Sequence, residues 1–166
     1  MYDAEAEETD AWIAGHKSLA GYLRPWNKIF NRQSQTRWAV RDENEIESGE
    51  LCLTVSADWI YQTIVCTFRQ RMIYRLDIAP VRECHDNYHT AWKQNLPALV
   101  CGPHVHGWPE NRDYVKQNGF IRMPVRRPIE GLVETLENAL GWVAQDLNIH
   151  IAPDQRDITM PTRELI

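Results

Sequence analysis

Residues 59–80 read "WIYQTIVCTFRQRMIYRLDIAP", and whether this run is one helix or two strands decides what the chain can be. Residues 59–68 are aromatic or β-branched almost without a break, the composition of a central strand. Arg69 and Gln70 interrupt the run too briefly for anything but a tight turn, although neither is the Gly or Asn that usually marks one. Beyond them Met72, Tyr74, Leu76 and Ile78 alternate with Ile73, Arg75 and Asp77. That period of two belongs to a strand, not a helix. Pro80 closes it. The segment therefore predicts a hairpin with Arg75 and Asp77 on one face.

Upstream, "TRWAVRD" (36–42) alternates, and Leu51, Leu53 and Val55 share one face of "ELCLTVS" (50–56). Downstream, 81–97 is a long polar connection, after which "ALVCGPHVHGW" (98–108) resumes extended structure. Pro128 suits the first turn of a helix. Ile129, Leu132, Val133, Leu136, Leu140 and Val143 then recur at spacings of three and four, an apolar stripe able to cover a sheet face. Near the N-terminus, Thr9 and Asp10 are candidate caps for a short helix running to about Leu23. Strands in a run followed by a helix predict an α+β domain: a mostly antiparallel, curved sheet covered on one face by a C-terminal helix, with a short N-terminal helix. The expected division is a flexible acidic tail at 1–8, a single domain at 9–150 and a peripheral tail at 151–166.

With 166 residues, the chain is long enough to bury a real core. No window approaches the ~20 apolar residues of a membrane span, and the acidic start "MYDAEAEETD" lacks the layout of a secretory signal. A cytoplasmic protein without membrane contact is expected. The four cysteines lack Cys-x-x-Cys spacing, so buried thiols are the expectation. A net charge of −5 opposes a general nucleic-acid coat, yet leaves room for a local basic strip at Arg122, Arg126 and Arg127.

The chemistry concentrates at "GPHVHGWPE" (102–110). In a strand, His104 and His106 project to one side. Two adjacent imidazoles suit either metal binding as neutral ligands or paired proton transfer. The spacing His104, His106, Glu110 also resembles the His-x-His-x-x-x-Glu block of cupins. That resemblance implies a metal site, although Ala98 stands where the upstream glycine belongs and no second block follows. The competing structural account buries Val105 and turns both rings to solvent or onto Trp108. For Arg75 and Asp77 it is a plain surface ion pair. If their strand neighbours that of the histidines, all four side chains share a face.

The order "YRLDIAP…CHDN…GPHVHGWPENRDY", followed by the apolar helix "RPIEGLVETLENAL", resembles a group of small bacterial and phage-borne proteins distantly similar to the TumE-type toxins of toxin–antitoxin pairs. The matching positions are Arg75, Asp77, His85, Asn87, His104, His106 and Glu110, and the similarity spans roughly residues 50–147. It implies a toxin-like, RNA-directed protein of a mobile-element or defence system, with a cognate antitoxin or host protein as partner. On this reading the chain is a ribonuclease needing no metal or other cofactor, acting on RNA or a nucleotide. His104, His106 and His85 transfer protons, Arg75 neutralises phosphoryl charge, and Asp77 orients its neighbours. Asn87, Trp108, Glu110 and Arg122 contact substrate. The rival expectation is a non-catalytic inhibitor that binds a host protein through its acidic residues.

Overall fold

Leu51, Leu53, Val55, Ile64 and Cys66 are fully buried, while the residues alternating with them are half-exposed. This alternation builds the sheet, each buried Leu or Ile contributing about 1.5–3 kcal/mol. The computed structural model describes residues 1–164; Leu165 and Ile166, the end of the expected peripheral tail, lie outside them.

In chain order the elements are α1 (Asp3–Ala14), β1 (Lys17–Leu19), β2 (Asn27–Ile29), β3 (Gln33–Arg41), β4 (Glu47–Ser56), β5 (Gln62–Phe68) and β6 (Arg71–Ile78). There follow β7 (Cys84–Asp86), β8 (Leu99–Cys101), β9 (His104–His106), α2 (Trp108–Asn118), β10 (Arg127–Pro128), α3 (Leu136–Leu147) and β11 (Ile149–His150). The main sheet runs β10-β9-β6-β5-β4-β3-β1-β11, with β2 also on β3. Among the described residues only the β1–β11 pairing is parallel. Strands β7 and β8 form a separate antiparallel ribbon. α3 lays Leu136, Ala139, Leu140, Val143 and Leu147 against β5 and β6. The protein is thus an α+β fold with a curled, mostly antiparallel sheet, a C-terminal helix on one face and a short N-terminal helix.

The hairpin read from residues 59–80 is β5–β6, although its first strand starts at Gln62 because Trp59 sits in a turn at φ 65°. Arg69 and Gln70 form the connection with φ of 49° and 63°, left-handed at both positions as a type I′ turn requires.

Several expectations are corrected. Residues 1–8 are not a frayed tail: they supply the first turns of α1, where Ala6 is fully buried. That helix ends at Ala14, and the residues expected to continue it include β1. Pro128 does not open a helix. It pairs with His104 in β10, and α3 begins eight residues later, where the Thr135 Oγ1 accepts from the Asn138 N–H at 3.2 Å. Gly131, at φ 140°, breaks the intervening segment and leaves Leu132 exposed. The segment after His106, to which the sequence reading assigned no helix, is helix α2. Its buried face is Trp108, Asn111 and Val115, and the asparagine in that stripe hid the helical period. Finally, Cys84 and Cys101 are not buried thiols but form a disulfide between β7 and β8; Cys52 and Cys66 stay free.

Candidate functional site

Strand β9 pairs antiparallel with β6, setting Arg75 opposite His106 and Asp77 opposite His104. Because side chains alternate along both strands, the four groups emerge on one face, and the core side chains Leu76 and Val105 face the other way, each fully buried. The condition on which the sequence reading rested, that these strands be neighbours, is met.

Asp77, His104 and His106 are 9%, 3% and 8% exposed. The Nε2 atoms of His104 and His106 lie 3.4 Å and 3.6 Å from Asp77 Oδ2. Each ring is fixed from behind: His104 Nδ1 is 2.8 Å from the Gly102 carbonyl and His106 Nδ1 is 2.6 Å from the Met123 carbonyl. A carbonyl only accepts, so both Nδ1 atoms carry the proton, and in the neutral rings both Nε2 lone pairs point at the carboxylate. Asp77 is held in turn by the Thr63 hydroxyl, which donates to Oδ1 at 2.9 Å, and by Arg75 Nε, 2.9 Å from each oxygen. Burial pushes the Asp77 carboxyl up, but hydrogen bonding from each imidazole whenever its Nε2 carries a proton, together with the Arg75 guanidinium, outweighs it. The carboxyl is held far below the usual carboxylate range.

The cluster floors a cleft of ≈ 350 Å³ whose walls include Arg75, His85, Glu83, Tyr61 and Arg126. A second groove of ≈ 400 Å³ shares Arg75, His106 and Arg126 with it and runs on past Tyr88, His89 and Arg122. A larger cavity of ≈ 900 Å³ lies by Trp12 and Phe68, but it holds none of the predicted site residues and, among the described residues, no group of His, Cys, Asp and Glu placed to hold an ion. Size therefore does not identify the site; convergence does.

The remaining predicted residues divide. His85 reaches the cleft from β7, its ring 5.9 Å from that of His104 and its Nε2 3.2 Å from Glu83 Oε1. Asn87 uses its amide structurally, donating to the carbonyls of Pro97 and Arg126 and accepting from the N–H groups of Tyr88 and Arg126. Trp108 is not available to stack a base: it is 3% exposed, stacks on Phe120 and donates to Asp10 at 2.7 Å. Glu110 stays out of the cluster, accepting from Arg127 Nε at 2.9 Å on α2, so the His-x-His-x-x-x-Glu ligand set of cupins does not assemble. Arg122 lies at the far end of the second groove, over the Tyr114 ring.

Sequence reasoning missed Thr63 and understated Arg126. Thr63 faces Asp77 directly across β5–β6, visible only once the register is known. Arg126 donates to the Asp86 carbonyl at 2.6 Å and buries an Nε without a partner among the described residues. No family model, no curated protein and no solved structure matches the chain. Among the described residues, no helix is long and apolar enough to cross a membrane.

Proposed function

We propose that the chain is a toxin-like ribonuclease whose reaction centre is the Asp77–His104–His106 cluster. One observation carries the reading: three strong electron-pair donors and the Arg75 guanidinium meet on one face, at the floor of a cleft whose rim bears Arg126. RNA supplies its own nucleophile, the 2′-hydroxyl. The protein must ease removal of that proton, neutralise charge growing on the phosphoryl oxygens, and give a proton to the 5′-oxygen as its bond to phosphorus breaks. His85 lines the cleft for that last role. The cluster's inward lone pairs serve the first need, by taking the proton or by holding a cation that acidifies the hydroxyl. Arg75 and Arg126 serve the second. The groove past Tyr88 and Arg122 offers aromatic and cationic surface to a single strand. The distant resemblance of the motif order to TumE-type toxins is what suggests RNA as the substrate and a neutralising antitoxin or host protein as partner, acting in the cytoplasm.

The rival reading, an inhibitor that binds a host protein through its acidic residues, has less free charge to work with in the N-terminal segment. Asp3, Glu8 and Asp10 of that segment are paired within the chain with Lys116, Arg69 and Arg112.

The test is cleavage of an end-labelled RNA oligonucleotide by purified protein. Wild type is expected to yield 2′,3′-cyclic phosphate ends and to spare a strand with 2′-deoxyribose at the scissile position. Arg75→Ala and the His104→Ala/His106→Ala double variant should lose about 10²-fold or more while keeping a wild-type circular dichroism spectrum. Full activity in a folded double variant would overturn the assignment.

A further inference from the structure

We propose that Asp77, His104 and His106 bind one divalent first-row transition-metal ion, with Asp77 and not Glu110 as the carboxylate ligand. The inference deepens the ribonuclease reading by naming the cation that acidifies the attacking hydroxyl, but the binding itself stands on the donor geometry.

The three ligand atoms lie within 4.8 Å of one another. A tetrahedral ion with bonds of about 2.1 Å needs its ligand atoms about 3.4 Å apart. Asp77 Oδ2 is 3.4 Å and 3.6 Å from the two Nε2 atoms, so two of the three edges already match an ion's coordination sphere, and the third lies within 4.8 Å. The surroundings are those of a ligand set. Both Nδ1–H groups are tied to backbone carbonyls, which fixes the tautomer and aims Nε2 inward, and the carboxylate is itself hydrogen-bonded by Thr63 and Arg75.

Electrostatics points the same way. With neutral rings, three lone-pair atoms face each other in a buried place with no proton between them. Arg75 compensates the carboxylate from one side, but the facing lone pairs still repel in low dielectric, and a positive charge at their centre would relieve that. Protons can supply that charge only by making imidazolium, whereas one divalent ion satisfies all three donors at once. Two imidazole nitrogens and one carboxylate oxygen suit Zn²⁺, Fe²⁺, Co²⁺ or Mn²⁺ better than the all-oxygen coordination of Ca²⁺ or Mg²⁺. All three residues line the open cleft, which leaves a coordination position for water or substrate, the arrangement of a catalytic rather than a structural site.

The experiment is calorimetric titration of full-length, tag-free, chelator-treated protein with Zn²⁺ and, separately, Co²⁺, whose visible absorption reports coordination number. One ion per chain is expected, with a Co²⁺ band of four- or five-coordinate intensity. His104→Ala, His106→Ala and Asp77→Asn should each bind at least ~100-fold more weakly, while Glu110→Gln binds as wild type does. The wild-type Co²⁺ spectrum needs no variant to fold. Stoichiometric binding at these ligands without RNA cleavage supports the site and removes the nuclease reading. RNA cleavage that needs the histidines, with no ion bound by the wild type, overturns the site and leaves the nuclease standing. Absence of wild-type binding at tens of micromolar Zn²⁺, or binding lost in Glu110→Gln and retained in Asp77→Asn, also overturns it.

Discussion

Asp10 shows how much one carboxylate can organise. It accepts from Trp108 Nε1 at 2.7 Å and from Arg112 Nε and Nη2 at 2.9 and 2.6 Å, pinning α1 to α2. The Arg112 guanidinium, against the opposing effect of burial and with help from Trp108, holds its carboxyl below the usual carboxylate range. A folded group that is the stronger acid stabilises fully above the unfolded value, near ~3.9, and loses that contribution as pH falls through the folded value. Asp10→Asn should therefore cost about 1 kcal/mol at neutral pH and flatten the acid limb of a urea-denaturation profile; an unchanged acid limb would show the clamp to be energetically idle. At this scale the sequence was partly legible. The period of two put His104 and His106 on one side, and Arg75 and Asp77 on one side, without any knowledge of the fold. Thr63 was not legible, since its value lies in a cross-strand partner. Trp108 was misread because an aromatic beside histidines suggests stacking, when here it turns inward at the start of a helix. If Thr63 orients Asp77, Thr63→Val should weaken ion binding about 10-fold with little loss of stability, measured by the same titration.

Among the elements, the β7–β8 ribbon is the one whose integrity depends on chemistry outside the main sheet. It belongs to a separate two-stranded ladder, and the Cys84–Cys101 bridge closes a segment with a separation of 17 residues. The bridge adjoins His85, which enters the cleft, and Gly102, whose carbonyl orients His104. In a reducing cytoplasm a bridge of this kind tends to open. Reduction should cost up to ~3 kcal/mol and raise amide exchange over 81–103, while β3–β6 keep their protection. Exchange that rises evenly across the whole sheet would instead make the bridge a global staple. The bridge was not legible: scattered cysteines carry no pairing information until antiparallel β7 and β8 set 84 opposite 101. The β5–β6 hairpin was legible because its alternation is local, although its turn residues are poor ones. Arg69 and Gln70 both hold positive φ, a conformation costing non-glycine residues roughly 1 kcal/mol each. Replacing them with Asn-Gly should raise the midpoint of chemical denaturation by ~1–2 kcal/mol in stability.

Over the whole molecule, the N-terminal helix is fastened to the sheet by Trp12 and by Lys17 at its end. Trp12 stacks on Phe68 with ring centroids 5.0 Å apart and donates to Ser48 Oγ at 2.8 Å. It lies so close to β4 that a Cβ on Gly49 would fall 2.5 Å from its ring, which is why that position is glycine. The end of α1 is received by Lys17, fully buried in β1, whose ammonium donates to the carbonyls of Trp12, Ile13 and Gly15. β1 then pairs with β11, near the other end of the described chain. None of this was readable from composition. The segment is dominated by acids, and their partners Arg69, Arg112 and Lys116 lie between 61 and 113 positions further on. A local reading sees only repelling charges and infers a frayed tail. The arrangement makes Trp12→Ala the telling substitution. It removes a buried indole from between helix and sheet, and should cost about 3–5 kcal/mol, far more than a surface tail would allow. Because Trp12 is remote from the Asp77 cluster, the folded fraction should keep its metal stoichiometry. A loss under 1 kcal/mol in equilibrium denaturation would mean that the helix is an ornament on a sheet stable without it.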